Sequence, residues 1–244
     1  MFYSIKYGKM NDAFTDIVPC AIHCVFDMSE PHGAAYAGVS KHLADRYVSK
    51  SFVPHMVNLP VGIKTNMRNE LNIPEDAFVY GRHGGSDTFD LQFVKDLIYQ
   101  TVNSRSDVWF VFLNTPVFCN HPHVLFLEGT SVMSEKVRFI NTCDAMIHAQ
   151  SLGETFGLSV GEFSIMGKPV VTYTGPQWHR CHLEILKDKA IGYENLKDLH
   201  QIFTTLNHDN VPKITDTEYS SVYSPAVVIQ KFKEEFIDKC VPDR

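Results

Sequence analysis

Two glutamates, Glu154 and Glu162, are eight positions apart around a predicted helix start, and both could bind hydroxyl groups. A carboxylate has two acceptor oxygens, so each side chain could accept from both hydroxyls of a vicinal diol. A glutamate beside a helix start also commonly offsets the helix dipole, so the spacing alone leaves both roles open. The neighbouring sequence has to decide between them.

The helix that carries Glu162 is predicted by an apolar stripe of helical spacing, formed by Phe156, Val160 and Phe163. Gly167 followed by Lys168 and Pro169 predicts its end, and Thr155 is the predicted N-cap. The helix directly follows a predicted strand. Its start therefore lies at the carboxyl end of that strand, where open α/β sheets bind ligands.

The backbone at this helix start offers a site for an anion. The free amides of Phe156, Gly157 and Leu158 would point out of the helix end, aided by the helix dipole. Gly157 has no side chain to keep a diphosphate away. With a diphosphate here, one glutamate would hold a hexose and the other a ribose.

The elements that position these residues alternate between strands and helices. Short apolar runs predict strands over residues 77–80, 109–113, 124–127, 145–147 and 169–173. Helical spacing predicts helices over 90–102 and from a Ser134 cap to about Asn141. This repetition predicts an α/β fold: a Rossmann-like parallel sheet with helices on both faces.

The flanking segments give weaker signals. Before residue 58 we expect a strand within 17–26, a helix over 34–47 and a strand over 52–57, leading into a linker over 58–64. After Tyr173 we expect helices over 183–186, 196–206 and 227–237.

Composition excludes several classes of function. The 244 residues are 44% hydrophobic with a net charge of −6, and the sequence contains no basic stripe, so we expect no nucleic-acid partner. No apolar run reaches the roughly 18 residues of a membrane-spanning helix, and the N-terminus lacks the apolar core of a secretory signal. We therefore expect no transmembrane segment and a cytoplasmic location.

Metal ligation is a poor match to the cysteines and histidines. Cys20 and Cys24 with His23, and His179 with Cys181 and His182, could in principle hold zinc, but neither group has Cys-x2-Cys spacing. The sequence also has no Asp-x-Asp motif. We expect neither a metal nor another cofactor, and six reduced thiols.

Four segments together resemble the donor domain of family 4 glycosyltransferases: residues 124–130, 139–145, 153–162 and 167–171. The resemblance covers roughly residues 52–173. It implies a retaining, metal-independent enzyme of the two-Rossmann-domain (GT-B) architecture. It also implies that Glu154 contacts the transferred sugar and Glu162 the nucleotide ribose.

A glycine-rich loop after the first strand of this region strengthens the resemblance. Gly81, Arg82, Gly84 and Gly85 match a family element in which the arginine reaches the donor phosphates. The family usually has a lysine about five residues later, where this chain has Asp87, so one expected positive charge is missing. An ordinary turn is the alternative role of these glycines.

The segment around His23 and His32 looks like the end of the acceptor-side domain of the same family, where a histidine lies near the reacting sugar. His23 is the nearer match, and a structural role is the alternative for both. We accordingly predict Glu154, His23 and Arg82 as catalytic residues.

These expectations define three regions: 1–57 as the remnant of a truncated acceptor-side domain, 58–225 as the donor-binding domain and 226–244 as a C-terminal helix. The predicted function is transfer of a sugar from a nucleotide-diphosphate sugar to a glycan or other hydroxyl acceptor. Two alternatives stay open: a non-catalytic binding subunit completed by a separate acceptor-domain chain, and a nucleotide-sugar epimerase.

Overall fold

The computed structural model describes residues 1–11, 14–175 and 177–241, and a small parallel sheet forms its N-terminal part. Three strands pair in the order β1-β2-β3: β1 Phe2–Lys6, β2 Cys20–Cys24 and β3 Ala35–Gly38. Helix α1, Lys41–Arg46, follows β3 and is capped by Ser40, whose side chain accepts from the Leu43 amide.

A six-stranded parallel sheet forms the centre of the chain. Its strands are β4 Phe78–His83, β5 Val108–Leu113, β6 Val124–Leu127, β7 Ala145–His148, β9 Val170–Tyr173 and β11 Ala190–Tyr193. A short pair joins β8, Gly153–Glu154, to β10, His179–Arg180. The sheet order is β11-β9-β7-β4-β5-β6, so the chain winds outward in both directions from the boundary between β4 and β7. This is the strand order of a Rossmann fold, which binds ligands at that boundary.

Helices cover both faces of the large sheet. They are α2 Gln92–Ser104, α3 Met133–Thr142, α4 Leu158–Ile165, α5 Cys181–Leu186, α6 Leu196–Thr205 and α7 Glu218–Ser221, with a 3-10 turn over Lys187–Lys189. One face packs Val79, Val111 and Met146 in a core shared with α3, α4 and the small sheet. The other packs Tyr80, Phe110 and Ile147 against α2 and α6. Because successive side chains of a strand point to opposite faces, the continuously apolar strands are buried on both sides, as predicted.

The chain's last helical segment returns to the small sheet. It consists of α8 Pro225–Phe232, a π-helical stretch Lys233–Ile237 and α9 Asp238–Cys240. Val228 and Phe236 pack on the sheet where it presents alanines, Ala21, Ala35 and Ala37. Small residues there leave room for the aromatic side chain. No helix within the described ranges is long and apolar enough to span a membrane.

The structure corrects two predictions for the N-terminal region. The helix expected over 34–47 is a strand, β3, followed by the shorter helix α1, because Gly38 pairs into the sheet and Ser40 starts the helix only afterwards. The strand expected over 52–57 is only a single bridge between Gly38 and Phe52. Pro54 in that segment has no amide hydrogen to donate to a ladder.

Two helix caps also differ from prediction. Helix α3 begins at Met133, and its N-cap Val132 makes no side-chain hydrogen bond, so Ser134 lies inside the helix. Helix α4 begins at Leu158, and its N-cap is Gly157 in the left-handed region (φ 85°), not Thr155. A left-handed position favours glycine, which explains why no hydroxyl residue caps this helix. The predicted stop at Gly167 (φ 74°) is confirmed.

Candidate functional site

A cleft of about 300 Å³ opens at the boundary where the large sheet reverses its strand order. The ends of β4 and β7 and the start of α4 line it, and the segment directly after β2 contributes Val25 and Phe26. The other lining residues are Gly84, Gly85, Thr88, Gln150, Thr155, Phe156, Leu158, Ser159, His55, His83, Lys136, His148, Arg82, Glu154, Gly157 and Glu162. All predicted site residues except His23 and Gly81 therefore line one cleft.

The start of α4 lies in this cleft with its amides unsatisfied by the helix itself. The first amide groups of a helix have no intrahelical acceptor, and those of α4 begin at Leu158. Tyr219, fully buried, donates from its hydroxyl to the Phe156 carbonyl at 2.9 Å and holds the turn from behind. A Cβ added to Gly157 would lie 3.1 Å from Cβ of His182, so the turn is also tightly packed.

Glu162 projects into the cleft between two basic side chains. Its Oε1 accepts from Lys136 Nζ at 2.9 Å, and its Oε2 lies 3.1 Å from His83 Nε2. Burial raises the pKa of this carboxyl, but the contacts with His83 and Lys136 outweigh burial, and the net shift of the pKa is downward. Glu162 is therefore a buried carboxylate that carries its charge at neutral pH.

Glu154 lies on the other side of the α4 start, as the short strand β8 ends. Its Oε1 is 3.2 Å from His148 Nε2, and its side chain is 22% exposed, more than the 9% of Glu162. His148 ends strand β7, so its ring reaches the cleft from the sheet itself. Both glutamates therefore line the cleft, Glu154 ahead of the helix start and Glu162 within the helix, and both oxygens of Glu162 are also in contact with Lys136 and His83.

Arg82 holds the loop that follows β4. Its Nη1 donates to the Asn114 carbonyl and the Thr115 hydroxyl, and its Nη2 donates to the Gly85 carbonyl and the Thr88 hydroxyl. Burial lowers the pKa of its guanidinium to about 10. Both terminal nitrogens are thus engaged with the protein, and the predicted contact with phosphate stays a prediction.

The structure does not bring His23 or Gly81 to the cleft. His23 Nδ1 is 2.7 Å from the Tyr3 hydroxyl and Nε2 is 2.7 Å from the Val53 carbonyl, which places a hydrogen on Nε2. Burial lowers the pKa of His23 to about 4. Gly81 lies within β4, where an added Cβ would be 2.1 Å from Cys143 Sγ, so close packing of the sheet requires this glycine. His32, the second N-terminal histidine, is also absent from the lining residues.

Several lining residues were missed from the sequence. His55 enters from the segment after the small sheet, with its ring 5.5 Å from that of Phe156, and burial lowers its pKa. Lys136 comes from α3 and supplies a positive charge in the cleft. The lysine that the family resemblance leads one to expect after the glycine-rich loop is replaced by Asp87. His83 and His148 each end a central strand, and that position at the strand-order reversal was the signal available in the sequence.

The described residues contain no group of three or more histidines, cysteines, aspartates or glutamates arranged to hold a metal ion. The six cysteines are free thiols, and all but Cys119 are buried.

Comparisons with known proteins show similarity at the level of the fold. No protein-family model and no curated protein matches the chain. Anabaena Alr3699/HepE in complex with UDP-glucose superposes with a TM-score of 0.61 at 15% identity, over 88% of this chain and 68% of that chain. A glycosyltransferase from Rickettsia africae superposes with a TM-score of 0.60 at 13% identity, over 99% of this chain and 71% of that chain. S. aureus MnaA with UDP superposes with a TM-score of 0.58 at 12% identity, over 92% of this chain and 70% of that chain.

The chain spans only part of these proteins. In a second HepE structure, with UDP and glucose, the match covers 69% of this chain and 50% of that chain. Together with the strand order of the large sheet, these superpositions show that the chain has the GT-B glycosyltransferase fold.

Proposed function

We propose that the cleft binds a nucleotide-diphosphate sugar and that the protein transfers the sugar to a hydroxyl acceptor, with retained configuration and without a metal. The observation that carries this proposal is the position of Glu154 and Glu162 on either side of the α4 start. A diphosphate fits the amides of a helix N-terminus, and carboxylates suit hydroxyl groups on both sides of it.

The charge of the cleft is compatible with an anionic leaving group. Transfer breaks the bond between the anomeric carbon and a diphosphate oxygen, and negative charge grows on that oxygen. The amides of α4 and the ammonium of Lys136 are oriented donors that would stabilise this charge. A new bond forms between the anomeric carbon and the acceptor oxygen as the bond to the diphosphate breaks. The proton of the acceptor hydroxyl passes to the departing diphosphate oxygen, which becomes basic as its bond to the sugar breaks, so the step needs no separate protein base.

We further propose a division of labour along the chain. Residues 58–225 would bind the donor, residues 1–57 would face the acceptor, and residues 226–244 would form a C-terminal helix, the last three of which lie outside the described residues. Val25, Phe26 and His55 support this proposal because they precede residue 58 and line the same cleft as the α4 start.

A thermal-shift panel of nucleoside diphosphates and their sugars tests donor binding. UDP and UDP-glucose are the first probes, since similar folds have been solved with them. A ligand at about 100 times its dissociation constant should add roughly 2.7 kcal/mol to the free energy of unfolding. No stabilisation by any nucleotide sugar would contradict the proposal.

Product analysis then separates the alternatives. Transfer to an acceptor, with the anomeric configuration followed by NMR, supports a retaining transferase, and an inverted product would contradict retention. Binding without turnover supports a binding subunit. Release of an altered sugar in the absence of acceptor supports an epimerase.

A further inference from the structure

A row of buried polar side chains extends from Glu154 into the interior, away from the cleft. His148 Nε2 is 3.2 Å from Glu154 Oε1, and His148 Nδ1 is 2.9 Å from the Thr172 hydroxyl. The same hydroxyl is 3.2 Å from His182 Nε2. Glu154 lies in β8, His148 in β7, Thr172 in β9 and His182 in α5, so four separate elements contribute to the row.

The chemistry of these groups sets the direction of the hydrogen bonds. A carboxylate only accepts, so His148 Nε2 must carry the hydrogen that faces Glu154. In a neutral ring Nδ1 then accepts, and it accepts from the single hydrogen of the Thr172 hydroxyl. That oxygen in turn accepts from His182 Nε2. Every hydrogen of the row therefore points towards the cleft.

The far end of the row makes the opposite direction unfavourable. His182 and Thr172 are 0% exposed, and His182 Nδ1 has no hydrogen-bond partner among the described residues. If His148 also carried a hydrogen on Nδ1, that N–H would donate to the Thr172 oxygen. The Thr172 hydroxyl would then donate to His182 Nε2, and the His182 hydrogen would have to lie on Nδ1, which has no partner. A buried N–H without an acceptor is unfavourable, because it loses its hydrogen bond to water and gains none in the protein. Burial also lowers the pKa of His182 well below its ordinary value.

We propose that His148 is a positioning residue that fixes the carboxylate of Glu154 for the sugar of the donor, and that Thr172 and His182 hold its ring in the Nε2–H form. With Oε1 engaged by His148, Oε2 of Glu154 is left to accept a sugar hydroxyl. None of the hydrogen bonds of the row involves Glu162, so we expect the row to affect binding of the sugar and not of the nucleotide. This inference rests on the proposed function of the cleft.

Thr172→Val is the decisive variant because it keeps the size of the side chain and removes only the hydroxyl. We expect its affinity for UDP-glucose to fall about five- to tenfold, as for loss of one buried hydrogen bond. Affinity for UDP should stay within about twofold of the parent. Thr172→Ser keeps a hydroxyl and should restore UDP-glucose binding. Thr101→Val, which removes a buried hydroxyl bonded to the Leu97 carbonyl in α2, is the matched control.

Titration calorimetry measures both affinities, and 15N NMR of the histidine rings reports the tautomer independently of any ligand. The parent should show His148 with the hydrogen on Nε2, and Thr172→Val should weaken this preference, since only the Glu154 carboxylate then favours that tautomer. If the parent binds no nucleoside diphosphate or nucleotide sugar of the thermal-shift panel but shows the Nε2–H ring, the proposed function is wrong and the direction of the hydrogen bonds in the row is confirmed. If Thr172→Val keeps the parent's ratio of UDP-glucose to UDP affinity, or the parent ring carries its hydrogen on Nδ1, the inference is overturned.

Discussion

The ammonium group of Lys136 lies 2.9 Å from the carboxylate of Glu162, although the two residues belong to different helices, α3 and α4. Lys136 thus brings a positive charge into the cleft, whereas the segment after the glycine-rich loop has Asp87 where a lysine was expected. Its side chains are 19% and 9% exposed, so the charges are shielded from water.

Lys136→Met should destabilise the protein because Glu162 would then be a buried charge with only His83 beside it. Loss of one partner of a buried pair costs about 3–5 kcal/mol, and the remaining histidine should reduce this to about 1–3 kcal/mol. Urea unfolding measures the difference. The double variant Lys136→Met/Glu162→Gln should recover part of the loss, and strictly additive effects would contradict coupling between the two residues.

Glu154→Ala and Glu162→Ala should affect different parts of the donor. Glu162→Ala should weaken binding of both UDP and UDP-glucose about tenfold, and Glu154→Ala should weaken chiefly UDP-glucose. The physical reason is that the two carboxylates lie on opposite sides of the α4 start. Calorimetry with both ligands checks this. Affinities equal to those of the parent in both variants would remove the glutamates from the binding site.

Gly157→Ala should abolish most ligand binding in the cleft. The residue has φ 85°, and a Cβ would meet His182 Cβ at 3.1 Å and the Tyr219 hydroxyl at 3.3 Å. Gly62→Ala is a matched control because Gly62 has φ 84° and nothing within 4 Å of an added Cβ. Both should lose about 1–2 kcal/mol of stability from backbone strain, and only Gly157→Ala should lose more and fail to bind UDP. Equal losses in thermal unfolding and normal UDP binding would contradict the packing argument.

Arg82→Lys should loosen the loop that follows β4. Lysine cannot replace four hydrogen bonds directed from two nitrogens, so amide hydrogens of residues 84–88 should exchange faster. Arg105→Lys is the control, since Arg105 bonds to the Phe203 carbonyl far from the cleft. Unchanged exchange at 84–88 with weaker UDP binding would instead indicate that Arg82 acts by contacting phosphate.

Acid should destabilise the protein before its carboxylates titrate. The pKa of His23 is lowered from 6.5 in the unfolded chain to about 4 by burial. Between these values the unfolded chain binds a proton that the folded chain excludes, so stability present above pH 6.5 falls as pH decreases towards 4. The contribution of His23 is at most about 3 kcal/mol. His23→Gln should reduce the slope of the unfolding free energy against pH between pH 6.5 and 4.5. An unchanged slope would show that His23 does not contribute to the pH dependence of stability.

The local pattern of residues was enough to predict the central α/β layers. Apolar runs of three to five residues and helical stripes are properties of neighbouring positions, so β5, β6, α2 and the stop at Gly167 follow from them. The pair Glu154 and Glu162 was found in the same way, because both lie within one turn-and-helix segment. By contrast, β1 and β11 were missed, since these edge strands are defined by their pairing with β2 and β9 rather than by a buried apolar run.

The partners of the two glutamates depended on packing between distant segments. Lys136, His83 and His148 approach the cleft from α3, β4 and β7, which meet only because the sheet reverses its strand order between β4 and β7. His23 shows the converse: its surrounding sequence resembles a reactive position, but its partner in β1 is Ile5, and its ring contacts the hydroxyl of Tyr3, two residues before Ile5. Periodicity carries information about which face of an element is buried, whereas side-chain contacts across the sheet arise from the arrangement of elements far apart in the chain.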